Sequence, residues 1–388
     1  MTIFNMFPQH SAMKTKVLII GAGPSGSMAA YRLASKGFRD FLIVDRSDFP
    51  RMKPCAGGIS PASHRFLKTM GLDHLLAGLK PSARMKRLRV IGPRGQDIVV
   101  TSSLKAITIN RRIFDAAILD RARSLGATFV PRFTVRSLLR DAEDRIIGAS
   151  DGSARIEAEV TILATGGHNK SFREEYLTDK RPLRLIYSRI GWWRDFDFQE
   201  DTMEMVFDRG YLPHYGWVFP EGDGVVNIGV CLYEDKLKGR NVTHVFDDFI
   251  EKYYAKRLEH ATQIGKSLSY VINTSSGVKD VYANRMLCAG EAGRMCNPAS
   301  AEGISYAMES GVLAADACLR AYERGSGGKP EEKSLEYYET MCRKAFNFRL
   351  RRAAIFSRLV DSPLLNPMIS ISMSKFAQSI VSMIFEDV

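Results

Sequence analysis

Residues 16–46 read KVLIIGAGPSGSMAAYRLASKGFRDFLIVDR. The apolar run 17–20 is short enough for a buried parallel strand. Gly21, Gly23 and Gly26 follow in G-x-G-x-x-G spacing, then small and apolar residues at helical period. A second apolar run, 41–44, ends at Asp45. This is one βαβ unit, and each glycine has a physical task. Gly21 permits the tight turn, Gly23 lets backbone N–H groups approach a pyrophosphate, and Gly26 allows close helix–strand packing. Asp45 can accept hydrogen bonds from a ribose. Gly21, Gly23, Pro24, Ser25, Gly26, Asp45 and Arg46 are therefore the expected dinucleotide edge. The motif alone does not separate FAD from NAD.

The chain has 388 residues, enough for two domains with separate cores. Its composition, 45% hydrophobic and 25% charged, is that of a globular protein. No apolar run is long enough to span a bilayer. Residues 1–13 have no signal-peptide pattern and are expected to be a flexible extension. The six cysteines are scattered without C-x-x-C pairing. They predict reduced thiols, a cytoplasmic setting and no metal site. The net charge of +12 is dispersed, with clusters at 84–89 and 343–352. Neither cluster lies in a nucleic-acid module, so no nucleic-acid partner is expected, and an anionic lipid surface is the sharper alternative.

Proline and glycine mark a loop over 49–59, and Ser60 or Ser63 can cap the helix after it. Turn signals across 81–109 predict a meander of strands. Helices are expected over 112–125, 245–258 and 302–322. Strands are expected at 128–137, 145–150, 154–160 and 160–164, with a hairpin turn at Asp151–Gly152. Aromatic residues and alternation over 183–233 predict a second, antiparallel sheet. The expected class is α/β plus β: a Rossmann-like dinucleotide-binding domain (14–80, 106–180 and 276–325), an antiparallel substrate domain (81–105 and 181–275) and a C-terminal helical region (326–388).

Four motifs then stand in order: GAGPSG, the R-x-x-F-D of Arg111 to Asp115, Y-x-W-x-F-P from Tyr215 to Pro220, and GEAGRMCNPASAEGI after the strand at 286–289. With KPCAGGIS at 53–60 and YGWVFPEGDGVVNIGV at 215–230, they resemble the FAD-dependent geranylgeranyl reductases, within the p-hydroxybenzoate-hydroxylase-like flavoproteins. The resemblance spans 16–322. It implies FAD as cofactor. It implies flavin contacts at Cys55, Ala56, Gly57, Arg111, Ala164, Gly166, Gly290, Glu291, Gly293, Pro298, Glu302, Gly303 and Ile304. Catalytic or substrate-positioning roles fall to Cys55, Tyr215 and Trp217, with Phe219 on the same side of the strand. Glu302 also reads as a stabiliser of the first turn of its helix, and His214 as a surface or satisfied histidine.

Three departures stand out. Glu291 replaces an Asp, Ala301 stands where the family has Gly, and Gly166-Gly167, followed by Asn169 and Arg173, replaces a D-G motif. The last departure leaves the electron donor as NADPH or a reduced ferredoxin or flavodoxin partner. The implied activity is saturation of C=C bonds in an isoprenoid lipid or prenyl diphosphate. The alternatives are a flavin monooxygenase or halogenase and a non-catalytic lipid-carrying flavoprotein. The tail at 363–385, rich in Met, Ile, Ser and Phe, reads first as a docked helix, with a peripheral contact to the inner face of the membrane as the alternative.

Overall fold

The structure, a computed structural model, describes residues 13–101, 106–168, 172, 184–362, 375 and 378. Most of the N-terminal extension, Asn169, Arg173 and nearly all of the 363–385 tail lie outside the described residues. The helices used below are α1 (Pro24–Ser35), α2 (Pro61–Thr69), α3 (Asp73–Gly78), α4 (Arg111–Ser124), α5 (Val242–Leu258), α6 (Ile304–Arg324) and α7 (Glu332–Asp361).

The opening strand, Met13–Ile20, lies at the centre of the first sheet, flanked in parallel by Phe41–Val44 and Arg155–Leu163. Thr128–Val130 and Met286–Cys288 extend the parallel set on either side. Val17, Leu18, Ile19 and Ile43 are wholly buried, as a sheet covered on both faces requires. Helices α1 and α6 pack closely over it. A Cβ on Gly311 of α6 would overlap the carbonyl oxygen of Ser25, so only glycine permits this approach.

The second sheet runs in the order Thr262–Gln263, Arg184–Arg194, Val225–Tyr233, Gly216–Gly222, Thr202–Val206, Arg87–Ile91, Asp97–Thr101. Leu268–Thr274 also pairs with Arg184–Arg194. The sheet is antiparallel except where Thr202–Val206 meets Arg87–Ile91. A three-stranded sheet, Gly58–Ile59, Ile107–Ile109 and Ser82–Arg84, contributes Ile59, Ile107 and Ile109 to the first core and Ala83 to the second. Thr108 fixes it to the second sheet by donating to the carbonyl of Pro220.

Several expectations are corrected. The strand begins at Met13, because residues 13–15 pair with 156–158. Residues 81–109 are no single meander. Arg87–Ile91 and Asp97–Thr101 form a hairpin, but Ile107–Ile109 crosses to the three-stranded sheet. The strand expected over 128–137 stops at Val130, before Pro131 and a left-handed Arg132 (φ 58°). Ser137–Arg140 is a separate strand paired with Ile146–Ser150. The expected strands 154–160 and 160–164 are one strand, Arg155–Leu163, with an antiparallel neighbour at its start and parallel ones along its length. Helix α4 begins at Arg111 because Asn110 caps it, its side chain accepting from Arg112 N–H at 2.9 Å. Asn241 likewise starts α5 at Val242, and Ser60 caps α2. Helix α6 starts at Ile304, after Gly303.

Helix α7 spans both cores. Leu335, Tyr338, Cys342, Phe346 and Leu350 are packed into the first, and Val360 into the second. Its polar contacts do the same: Tyr338 donates to Cys288 O at 2.9 Å, and Lys236 pairs with Asp361 at 2.6 Å.

Substituting Gly311→Ala tests the helix contact. In an open helix this change would stabilise by about 1 kcal/mol. Here the overlap with Ser25 O should reverse the sign and cost about 1–3 kcal/mol in urea unfolding.

Candidate functional site

One cavity of about 410 Å³ joins the glycine loop to the second sheet. Its dinucleotide end is lined by Gly21, Gly23, Pro24, Ser25, Asp45 and Arg46, together with Ala164 and Gly166. Helix α1 starts there with no side-chain cap, so first-turn N–H groups face the cavity end. The Ser25 hydroxyl is buried and has no partner among the described residues. Asp45 accepts one N–H on each oxygen, from Ala22 at 2.8 Å and Ser47 at 2.9 Å, and keeps lone pairs for a further donor. An uncapped helix start with an orphaned hydroxyl suits a diphosphate, and a carboxylate beside it suits a ribose. These residues fit FAD.

The middle of the cavity is held by the 51–60 loop and the start of α6. Cys55, Ala56, Glu302, Gly303 and Ile304 line it, as does Arg111. Arg111 is bound to Asp115 through two bonds of 2.6 and 3.0 Å. Burial opposes its charge, but Asp115 and the neighbouring Cys55 outweigh that and raise its pKa. Glu302 accepts both the backbone N–H and the hydroxyl of Ser305, each at 2.8 Å, and so supports the first turn of α6. Ala301 has φ 56°, in the left-handed region, which is the physical reason a glycine suits this position.

Glu291 also lines the cavity, with its carboxylate engaged inside the protein. Oε2 accepts from the Tyr270 hydroxyl at 2.8 Å and Oε1 from Asn273 N–H at 2.9 Å. The methylene that distinguishes Glu from Asp carries the carboxylate to that strand. Burial raises its pKa, opposed by Lys53.

At the far end Tyr215, Trp217 and Phe219 all face the cavity. Successive ring centroids are 6.2 and 6.4 Å apart. The Tyr215 hydroxyl donates to Ser300 O at 2.7 Å, and burial raises its pKa well above the usual value. The Trp217 indole donates to Asn227 Oδ1 at 2.7 Å. The Asn227 amide donates in turn to Ala56 O at 3.0 Å and Glu221 Oε1 at 2.9 Å. A Cβ on Gly229 would overlap the Trp217 ring. The spacing Y-x-W-x-F-P…N-x-G is thus read in space as an aromatic wall, its polar support and the gap that admits its indole.

Five residues expected at the cofactor do not line the cavity. Gly26 packs α1 against the loop at Gly21, and Gly57 (φ 72°) lies against the backbone of Ile109. Gly290 N–H donates to Ser310 Oγ at 2.8 Å. Gly293 lies against Cys288 O, where a Cβ would come within 2.7 Å. Pro298 turns its carbonyl to the Tyr233 hydroxyl at 2.7 Å. His214 is neither exposed nor satisfied. It is fully buried, with both ring nitrogens unpartnered among the described residues, and its ring centroid lies 4.4 Å from that of Tyr233. Burial, with Arg184 adding, lowers its pKa to about 3, so it stays neutral.

Sequence reasoning passed over Arg51, Lys53 and Tyr270, which also line the cavity. The Lys53 ammonium lies 3.1 Å from the centroid of the Tyr270 ring. Burial outweighs the attraction of Glu291 and lowers its pKa to about 8. Lys53 opens the KPCAGGIS stretch, so a signal for it existed, but Tyr270 belongs to no motif.

Two family profiles match the chain: "FAD binding domain" over residues 14–180 and "Geranylgeranyl reductase catalytic domain" over 192–271. These two matches support a flavoprotein similar to the superfamily that the FAD binding domain and geranylgeranyl reductase profiles describe. This flavoprotein is 26% identical over 348 residues to digeranylgeranylglycerophospholipid reductase 1 of Methanosphaera stadtmanae, covering 86% of this chain and 82% of that one. It is 28% identical over 319 residues to menaquinone reductase of Mycobacterium tuberculosis, covering 77% and 75%. In fold it matches a geranylgeranyl bacteriochlorophyll reductase-like protein of Thermoplasma acidophilum, with TM-score 0.77, 20% identity, and 96% and 100% of the chains covered. A flavin-dependent brominase matches at TM-score 0.71 and 18% identity, with 92% of each chain covered. The architecture is a Rossmann-like FAD-binding domain with further, mixed sheets and C-terminal helices, as the sequence predicts. The flavoprotein is a flavin-dependent oxidoreductase.

Two measurements probe the site. Ala301→Gly should raise urea stability by about 1 kcal/mol, because it removes a left-handed Ala. For Lys53, the folded pKa of about 8 lies below the ordinary 10.5. Below about pH 8 both folded and unfolded chains hold the proton; between 8 and 10.5 only the unfolded chain does. Stability therefore rises with pH across that window. The apoprotein should gain stability relative to Lys53→Met between pH 8 and 10.5 and show no such trend below it.

Proposed function

We propose that this flavoprotein saturates C=C bonds in a long prenyl chain carried by a lipid or a diphosphate. The observation that carries the reading is the continuity of the cavity. Its dinucleotide end runs without a break into a pocket walled by Ile190, Met203, Met205, Trp217, Phe219 and Ile272. Such a wall excludes water and gives an alkene van der Waals contact, with few polar groups to select a charged or hydroxylated substrate. The superfamily relatives named for prenyl-lipid and menaquinone reduction point the same way.

Reduction of one C=C bond takes a hydride and a proton. Reduced FAD, when bound, supplies the hydride. The chain's own residues do the rest. The α1 start, Ser25 and Asp45 would hold the dinucleotide, and the α6 start at Gly303 and Ile304 would face its reactive half. The aromatic wall orients the prenyl chain, which lowers the entropic part of the barrier. The Lys53 ammonium, its pKa lowered to about 8, and the Cys55 thiol both line the cavity and bear a proton that could be transferred. Tyr215 is less suited, because its hydroxyl already donates to Ser300 O and burial holds its proton firmly. Tyr215 and Trp217 then act as positioning residues and Cys55 as the proton source or its neighbour. The electron donor is NADPH or a small reduced redox protein.

The test is anaerobic. The flavin is reduced with dithionite, the protein is incubated with prenyl lipids, and the products are analysed by mass spectrometry. Each reduced bond adds two hydrogens, and flavin reoxidation should depend on substrate. An unchanged lipid, with oxygen uptake driven instead by an aromatic or carrier-bound substrate, would hand the assignment to a monooxygenase or halogenase. A yellow protein whose flavin is reoxidised by no substrate would point to a carrier.

A further inference from the structure

Helix α7 buries one face against both cores and leaves the other to solvent. On that outer face Phe348, Ile355 and Leu359 are 69%, 56% and 50% exposed. With Arg352 they occupy positions i, i+4, i+7 and i+11, which form one stripe along a helix. Arg352 lies within the stripe, Arg351 and Arg358 border it, and all three are exposed. None of the three has a salt bridge among the described residues, and the Arg352 guanidinium lies 5.2 Å from the Phe348 ring centroid. Tyr337, Met341, Lys344 and Arg351 continue the same face, so from 337 to 359 it carries no Asp or Glu.

We propose that the outer face of α7 is a docking surface for an anionic lipid bilayer. Charge decides between occupants. Apolar side chains bordered by unpaired arginines suit the boundary between acyl chains and anionic headgroups, where arginine stems lie along the apolar layer and their heads meet phosphate. A second copy of the same face would bring like charges together. The placement also has a consequence for access. Phe356 and Val360, on the inner face of α7, pack into the cluster that contains Met203, Met205, Trp217 and Phe219, all on the cavity wall. A helix seated on a bilayer therefore sets that wall next to the lipid. The proposal does not rest on the prenyl substrate, and vesicle binding is measured without turnover.

The test is sedimentation of the full-length flavoprotein with vesicles of equimolar phosphatidylglycerol and phosphatidylcholine, against pure phosphatidylcholine. Each Lys or Arg near an anionic surface adds roughly fivefold to partitioning, so the anionic vesicles should bind at least about tenfold tighter. The double variants Ile355→Asp/Leu359→Asp and Arg351→Glu/Arg352→Glu should each lose about tenfold or more, by removing the apolar and the electrostatic contribution separately. Added salt should weaken the parent and leave the arginine variant little changed. Unaltered flavin absorbance and thermal melting would show that both variants fold. Equal binding to the two vesicle types, retention of binding by either folded variant, or no binding by the parent would overturn the proposal. A parent that is dimeric in light scattering, does not bind vesicles and becomes monomeric in both variants would assign the face to self-association instead.

Discussion

The Glu221 carboxylate is the constraint on which the site depends. It is buried, and it accepts from Asn110 at 2.9 Å, Trp192 at 3.1 Å and Asn227 at 2.9 Å. Burial raises its pKa, and the three donors work against that rise. A buried carboxylate is costly unless its oxygens are satisfied, so these donors are held together by a strong penalty for separating them. Asn110 is the cap of α4, which begins with Arg111. Asn227 reaches the 51–60 loop through Ala56 O and holds the Trp217 indole. One acidic side chain thus sets the relative position of the cofactor-side helix, the loop bearing Cys55 and the aromatic wall.

A second constraint acts from the other side. Helix α7 closes over both cores, and the Tyr233 hydroxyl joins it to the α6 approach by bonding to Pro298 O at 2.7 Å and pairing with Ser357 Oγ at 3.1 Å. The two ends of the cavity belong to different sheets. Without such ties, sheets joined by short connections would move relative to one another. The charge arrangement inside the cavity follows from the same closure. Lys53 comes from one part of the chain and Tyr270 and Glu291 from another more than 200 residues on, and their burial gives the lysine its lowered pKa and the glutamate its raised one.

Much of the fold was legible because its signals are local. The glycine spacing at 21–26 needs only a strand, a turn and a helix. Ser60 caps its helix by a side-chain bond to Ser63, three residues on; the equally local caps Asn110 and Asn241 were passed over, which set the expected starts of their helices too late. Other errors arose where pairing is decided at a distance. Nothing near Ile107 says that its strand leaves the hairpin at 87–101 for a different sheet. Nothing near Arg155 says that one strand serves antiparallel and parallel neighbours at once. His214 was misread for the same reason, since its burial depends on the Tyr233 ring from a neighbouring strand.

The sequence by itself determined the dinucleotide unit, the superfamily motifs and the alternation that sends Tyr215, Trp217 and Phe219 to one side. These rest on spacing along the backbone, which a helix or strand converts directly into geometry. Only the tertiary structure decided which motif residues meet the cavity. Gly57, Gly290, Gly293 and Pro298 belong to the motifs yet serve packing and backbone bonding, as Gly26 does in the way its spacing predicts. Lys53 and Tyr270 reach the cavity without having been singled out. The physical reason is that a motif records every constraint on a segment together, and only the packed chain separates the atoms that face the cavity from those that hold the segment in place.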